Sequence, residues 1–272
     1  MSDRSSSLQF DPEWRISLVT VMLLPFLVLL GFWQLERADE KALLATTWEL
    51  RRHQSPVQLS ELDIQQPESL AYIPVQLTGR YLSQGNLSQG PLSQGPLSQA
   101  YFLLDNRIHG GKFGYEVVAP FRLSDSDEIV LVNRGWIAGD SSRISLPQVP
   151  LLAGDINVAG HVYVAPGEPY LLADQVMEPG WPKQIQALEM DKIEPLMLEF
   201  EPGIKLFPYP VRINAGQASA LTVDWKIVNV SPQKHTGYAV QWFTMAAVLG
   251  IFYLMRSSNL WQLIAPNRRK SD

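Results

Sequence analysis

Two apolar runs, one near each end of the chain, constrain its fold more than any other feature. Ile16 to Leu35 is twenty residues without a charged side chain. At the rise of an α-helix, about 1.5 Å per residue, such a run just covers a hydrocarbon core of roughly 30 Å. Tyr238 to Met255 is a second run of eighteen residues, at the short end for a span. Lipid offers no water to backbone N–H and C=O groups, so both runs are expected to be helices. Trp14 and Trp33 mark the ends of the first, and Trp242 and Trp261 those of the second, as an interfacial aromatic belt would. The first run ends in Gly31-Phe32-Trp33-Gln34, with no small-residue cleavage site, and is expected to be an uncleaved anchor. Pro25 within it reads as a tolerated kink.

Charge sets the expected orientation. Arg256, Arg268, Arg269 and Lys270 follow the second run, against Lys226 and Lys234 before it, which places the C-terminus in the cytoplasm. The first run is ambiguous alone, with Arg4 and Arg15 before it and Arg37 and Lys41 after it. Two spans return both termini to one side. The expected organisation is therefore a cytoplasmic tail (1–15), a span (16–35), a periplasmic domain (36–237), a second span (238–255) and a basic cytoplasmic tail (256–272), in a bacterial inner membrane.

Between the spans the pattern changes. From Glu36 to His53 there are good helix formers and neither Gly nor Pro, so the first helix is expected to continue out of the membrane. Short alternating runs then follow at Tyr72–Tyr81, Tyr101–Leu104, Tyr115–Leu123, Ile129–Asn133, Ile156–Val164 and Trp225–Val230. Turn clusters such as His109-Gly110-Gly111 separate them, and one interior helix is predicted near Met190–Phe200, weakened by Pro195. The fold class is α+β: two transmembrane helices flanking an antiparallel β-sheet or barrel-like extracytoplasmic domain. Within residues 82–99 the unit Leu-Ser-Gln-Gly recurs every five residues. It reads as a flexible connection between two strands, a repeat expansion in a tolerant hairpin loop.

Composition removes several functions. There is no cysteine, hence no disulfide, no thiolate metal site and no soft ligand set for copper(I). A net charge of −5 gives no basic face for nucleic acid. No Gly-x-Ser-x-Gly elbow or His-Glu-x-x-His helix occurs, and Gly110-Gly111-Lys112 lacks the flanking residues of a phosphate loop. No pair of carboxylates stands out as an acid–base couple, so the chain is not expected to be an enzyme. His53, His109 and His161 read as ordinary surface or satisfied polar residues.

His235 differs by position, three residues before the second run. If a helix begins there, His235, Tyr238, Ala239 and Trp242 share one face at i, i+3, i+4 and i+7. Two readings stand: an interfacial histidine in an aromatic belt, or an axial ligand to haem iron beside a flat aromatic face. Gln34 and Gln241 are expected at one depth, where their amides would hydrogen-bond across the two helices.

Three clusters together resemble the surfeit-locus-one family. They are Gly31-Phe32-Trp33-Gln34-Leu35-Glu36-Arg37 with Lys41, Val132-Asn133-Arg134-Gly135-Trp136, and His235-Thr236-Gly237-Tyr238-Ala239-Val240-Gln241-Trp242-Phe243. The likeness runs from about Ile16 to Met255, and the five-residue repeat is its main departure. It implies an assembly factor for haem–copper cytochrome c oxidase that assists insertion of haem a into the catalytic subunit. It also implies haem a as a transient cofactor with His235 as its iron ligand. The implied partners are that catalytic subunit, proteins of haem a synthesis or delivery, and the lipid bilayer. The alternative is a scaffold that stabilises an oxidase subunit without binding haem. For Arg134, one reading pairs it with a carboxylate while Trp136 packs in the core; the other has it meet a haem propionate.

Overall fold

The structure is a computed structural model. It describes residues 8–82 and 100–260, apart from 151, 166, 168–170, 172, 201–202 and 228–229 and the side chains of 199–200. The chain divides into two compact units, one of residues 1–46 with 227–272 and one of residues 47–226.

The first unit contains most of helix α1 (Trp14–Arg51) and the whole of the last helix. At 38 residues α1 is about 57 Å long, well beyond one hydrocarbon core, so the helix continues past Glu36 as its composition predicts. Pro25 lies inside it without ending it. Helix α4 (Pro232–Ser257) opens with Pro at its first position, where the missing N–H costs nothing. Both helices are long and apolar enough to cross a membrane.

The second unit is mixed α+β. It carries a short helix α2 (Pro67–Leu70), an interior helix α3 (Met190–Phe200) and eight strands. The strands are β1 (Pro74–Tyr81), β2 (Phe102–His109), β3 (Lys112–Leu123), β4 (Glu128–Ala138), β5 (Ile156–Val162), β6 (Lys183–Ile185), β7 (Lys205–Leu206) and β8 (Val211–Ile213). Hydrogen-bonded pairings run from β3 to β1, β5, β8 and β4, and β4 pairs with β3 again. The sheet is not purely antiparallel. β6 on β2, and β7 and β8 on β4, are parallel pairs, because these short segments return through long connections instead of hairpins.

Strand β4 shows why simple alternation fails at the centre of the domain. Val130 and Val132 enter a core with Val75, Leu77, Phe121, Val158, Val211 and Ile213. Ile129 and Leu131, on its other face, enter a core with Phe102, Leu104, Ile185 and the α3 residues Ile193 and Met197. A strand covered on both faces reads as a continuous apolar run. Gly110 and Gly111, at φ 56° and 75°, make the two-residue turn between β2 and β3, whose register pairs His109 with Lys112.

Two expectations change here. The run Trp225–Val230 forms no strand at its described positions. Its leading residue is apolar for packing: the Trp225 indole N–H donates to Ile213 O and its ring lies under Arg212. The strands on either side of the repeat, β1 and β2, are also not paired with each other. β1 and β2 both pair with β3, on the edge opposite β4, so they lie end to end and not side by side. Residues 83–99 lie outside the described residues, but the chain leaves at Leu82 and returns at Ala100, whose N–H donates to Leu82 O at 3.2 Å.

Candidate functional site

Helices α1 and α4 pair antiparallel, and their contacts fix the register. At one end Arg256 meets Glu13 at 3.4 Å and the Ser17 and Tyr253 hydroxyls lie 2.8 Å apart. Backbone bonds from Asp11 N to Ser257 O and from Asn259 N to Gln9 O close that end. Further along, Gly31 lies so close to Phe243 that an added Cβ would meet its ring at 2.5 Å, and Phe32 meets the same ring edge-on at 5.2 Å. Small residues at buried positions, Thr20 and Gly31 on α1 and Ala239 and Ala246 on α4, allow this approach.

At the opposite end stands His235, in the first turn of α4. Its Nδ1 lies 2.8 Å from Gln34 Oε1 on α1. An amide oxygen only accepts, so with Oε1 facing the ring the contact is a hydrogen bond only in the form that carries a proton on Nδ1. His235 and Trp242 are half-buried, Ala239 is buried against neighbouring side chains, and Tyr238 is 48% exposed. The helical spacing read from the sequence therefore holds for the backbone, with its members graded from buried to open. Gln34 does not bond to Gln241, which is exposed. Six residues separate 235 from 241, about 240° around a helix, so the residue that faces Gln34 is the histidine and Gln241 points elsewhere. Sequence reasoning matched the two amides by depth and missed the rotation.

Arg134 belongs to the β unit and is 1% exposed. Its Nε donates to Ser219 O at 2.9 Å and Nη2 to Pro150 O at 3.1 Å, and its guanidinium lies over the Tyr81 ring at 5.1 Å. The expected carboxylate partner is thus replaced by two carbonyls and an aromatic face. Burial lowers its pKa, and Tyr81 and Tyr101 oppose that shift. Nε and Nη2 are thus engaged inside the core, while Nη1 is buried without a hydrogen-bond partner among the described residues. The neighbouring motif residues serve the same loop. Asn133 donates to Glu116 Oε2 and accepts from Gly135 N; Trp136 donates its indole N–H to Arg107 O and exchanges backbone bonds with Thr222. Gly135, at φ 105°, lets Thr222 O approach to where a Cβ would be only 2.6 Å away. The Val-Asn-Arg-Gly-Trp cluster therefore ties β4 to residues 219–222. Trp136 itself is only half-buried.

The remaining histidines diverge. His53 is exposed and accepts from Arg52 Nε, and His109 lies 3.5 Å from Asp224 against the Trp136 ring. His161 is neither a surface nor a satisfied residue. It is 3% exposed, and among the described residues neither ring nitrogen makes a hydrogen bond of good geometry, Asn214 being the polar side chain beside it. Trp48 covers it edge-on at 4.7 Å, with Tyr72, itself at φ 65°, at 6.4 Å. Its cross-strand neighbour Arg212 lies over Tyr163 at 3.5 Å and Trp225 at 5.0 Å. Burial, then the Arg212 charge, push the His161 pKa down to about 4, with Asn214 opposing.

Comparison with known proteins agrees with the three sequence clusters. The family model described as "SURF1 family" matches residues 21–247. A SURF1-like protein of Rickettsia felis is 24% identical over 257 residues, covering 90% of this chain and 98% of the relative. A SURF1-like protein of Caenorhabditis elegans is 26% identical over 89% of this chain and 74% of its own. One of Drosophila melanogaster is 34% identical over a shorter stretch, 40% of this chain and 36% of its own. None of these names states a reaction. With most of its length matched and both helix-end clusters in place, the chain belongs to the SURF1 family.

Proposed function

We propose that this protein is an assembly factor for haem–copper cytochrome c oxidase, holding haem a in transit to the catalytic subunit, with His235 as the iron ligand. The observation that carries this reading is the His235–Gln34 contact. A ring held through Nδ1 keeps Nε2 free, on a helix face where Tyr238 is open and Trp242 half-buried. Metal-binding histidines are characteristically held in this way through their second nitrogen. When bound, haem a would supply an iron that an imidazole nitrogen can hold. His235 would hold that iron, Tyr238 and Trp242 would offer apolar surface to the macrocycle, and Arg134 has no part in it. A long apolar tail is compatible with a site on a helix that borders lipid. In this reading the chain sits in a bacterial inner membrane with both termini cytoplasmic, and haem a synthesis or delivery proteins are its upstream partners. The return of the strand pairings to β3 favours a small closed barrel as the periplasmic domain.

Purification from cells that make haem a, followed by an absorption spectrum, tests the proposal. Bound haem in the wild-type protein and its loss in His235→Ala are expected. Protein without haem, or haem unaffected by that substitution, leaves a scaffold that stabilises an oxidase subunit. Oxidase activity unchanged by deletion of the gene would remove both.

A further inference from the structure

The Gln34–His235 contact carries a consequence for which atom coordinates, and it rests on the haem-holding reading above. We infer that Gln34 is a positioning residue: it selects the Nδ1–H tautomer of His235 and thereby assigns coordination to Nε2. A neutral imidazole free in water samples both tautomers, and only the nitrogen without a proton can bind a metal. Here the acceptor is fixed before any metal arrives. Gln34 Oε1 lies 2.8 Å from Nδ1, on a helix that also meets α4 at Phe243 and at Tyr253. The register around it is held by Gly31 against Phe243, three residues from Gln34 on α1, and by the Ser17–Tyr253 contact further along. Among the described residues the His235 side chain has no other hydrogen bond, so none of them competes for Nδ1 or occupies Nε2.

The chemistry has a second effect. A hydrogen bond accepted from Nδ1–H raises electron density on the ring and strengthens Nε2 as a donor; a carboxylate in place of the amide does so more strongly. Gln34 therefore sets both the direction and the basicity of the candidate ligand. It does so from the other helix, which makes the site a property of the helix pair and not of α4 alone.

Two measurements on the full-length protein in detergent micelles test this. The first needs no haem: long-range ¹⁵N–¹H spectra of histidine-labelled protein, with the His235 signal assigned by its absence in His235→Ala. Wild-type protein is expected to show the Nδ1–H tautomer, and Gln34→Leu to move it towards Nε2–H. A wild-type ring in the Nε2–H form, or a tautomer indifferent to Gln34→Leu, overturns the assignment. The second titrates the same proteins with haem a. Gln34→Leu should weaken binding by about tenfold or more. Gln34→Glu should restore binding and lower the midpoint potential, because a more electron-rich imidazole favours ferric iron. A merely structural role for Gln34 predicts no shift in potential, and that result overturns the positioning role. Wild-type protein that takes up no haem, while retaining the Nδ1–H tautomer, overturns the haem-holding reading and the coordinating role of Nε2. It leaves the Gln34-selected tautomer standing.

Discussion

Lowering the pH should destabilise this protein through His161, a buried histidine of the β unit. The ring is 3% exposed, makes no hydrogen bond of good geometry among the described residues, and is paired across strands with Arg212, with Trp48 and Tyr72 against it. In the unfolded chain it has the ordinary pKa of 6.5, and in the fold about 4. The folded-state pKa is depressed, so between these values the unfolded state binds the proton and the folded state does not. Stability is then full above pH 6.5, falls as pH drops through the window, and reaches its limiting loss near pH 4. A shift from 6.5 to about 4 corresponds to about 3 kcal/mol at that limit, most of it already lost by pH 4.5. Urea unfolding of full-length protein in micelles, followed by tryptophan fluorescence from pH 7.5 to 4.5, measures it. Carboxylates also titrate in this range, so the informative quantity is the difference between wild type and His161→Phe. The aromatic substitute keeps a ring between Trp48 and Tyr72 and cannot take up a proton, so its stability should fall less by about 2–3 kcal/mol over the window. Equal slopes for the two proteins, or a His161 resonance titrating near 6.5, would refute the reasoning.

Three further outcomes follow from the β unit. Arg134→Met removes the donors to Ser219 O and Pro150 O and should cost about 2–4 kcal/mol, while the folded fraction keeps whatever haem affinity the wild type has; a loss of haem uptake at unchanged stability would contradict the structural role. Gly135→Ala places a methyl against Thr222 O at a positive φ, where backbone cannot give way easily, and should cost about 2–4 kcal/mol by the same unfolding assay. Replacing residues 83–99 by Asn-Gly should be tolerated, because the Ala100 N–H to Leu82 O bond is the one a two-residue turn requires. Shortening the loop is worth up to about 2 kcal/mol in closure entropy, read as a higher melting temperature.

Much of the architecture is legible in the chain because it rests on local composition. An uncharged apolar run admits little but a helix where water is absent, and α1 and α4 appear where those runs lie. Short apolar runs, alternating in part and continuous at β4, located β1 to β5, and α3 spans Met190–Phe200 as its pattern indicates, with Ile193 and Met197 on the buried side. Strands β6, β7 and β8, of two or three residues each, carry no period of their own; their partners define them. The reverse holds for Trp225, whose apolar character reports a packing contact and not a ladder.

The candidate site divides in the same way. Sequence by itself determined that His235, Tyr238 and Trp242 ride on one helix near its start, since a period of 3.6 residues follows from the backbone alone. Only the tertiary structure decided that Gln34 meets His235 and not Gln241, because that depends on how one helix is rotated against another, and the Gly31–Phe243 contact sets that rotation. It also decided that Arg134 is buried on carbonyls and that His161 lost water without gaining a hydrogen bond of good geometry among the described residues. Whether a polar side chain is satisfied is a statement about its neighbours in space, and residues 134 and 219, or 161 and 212, become neighbours only once the sheet has formed.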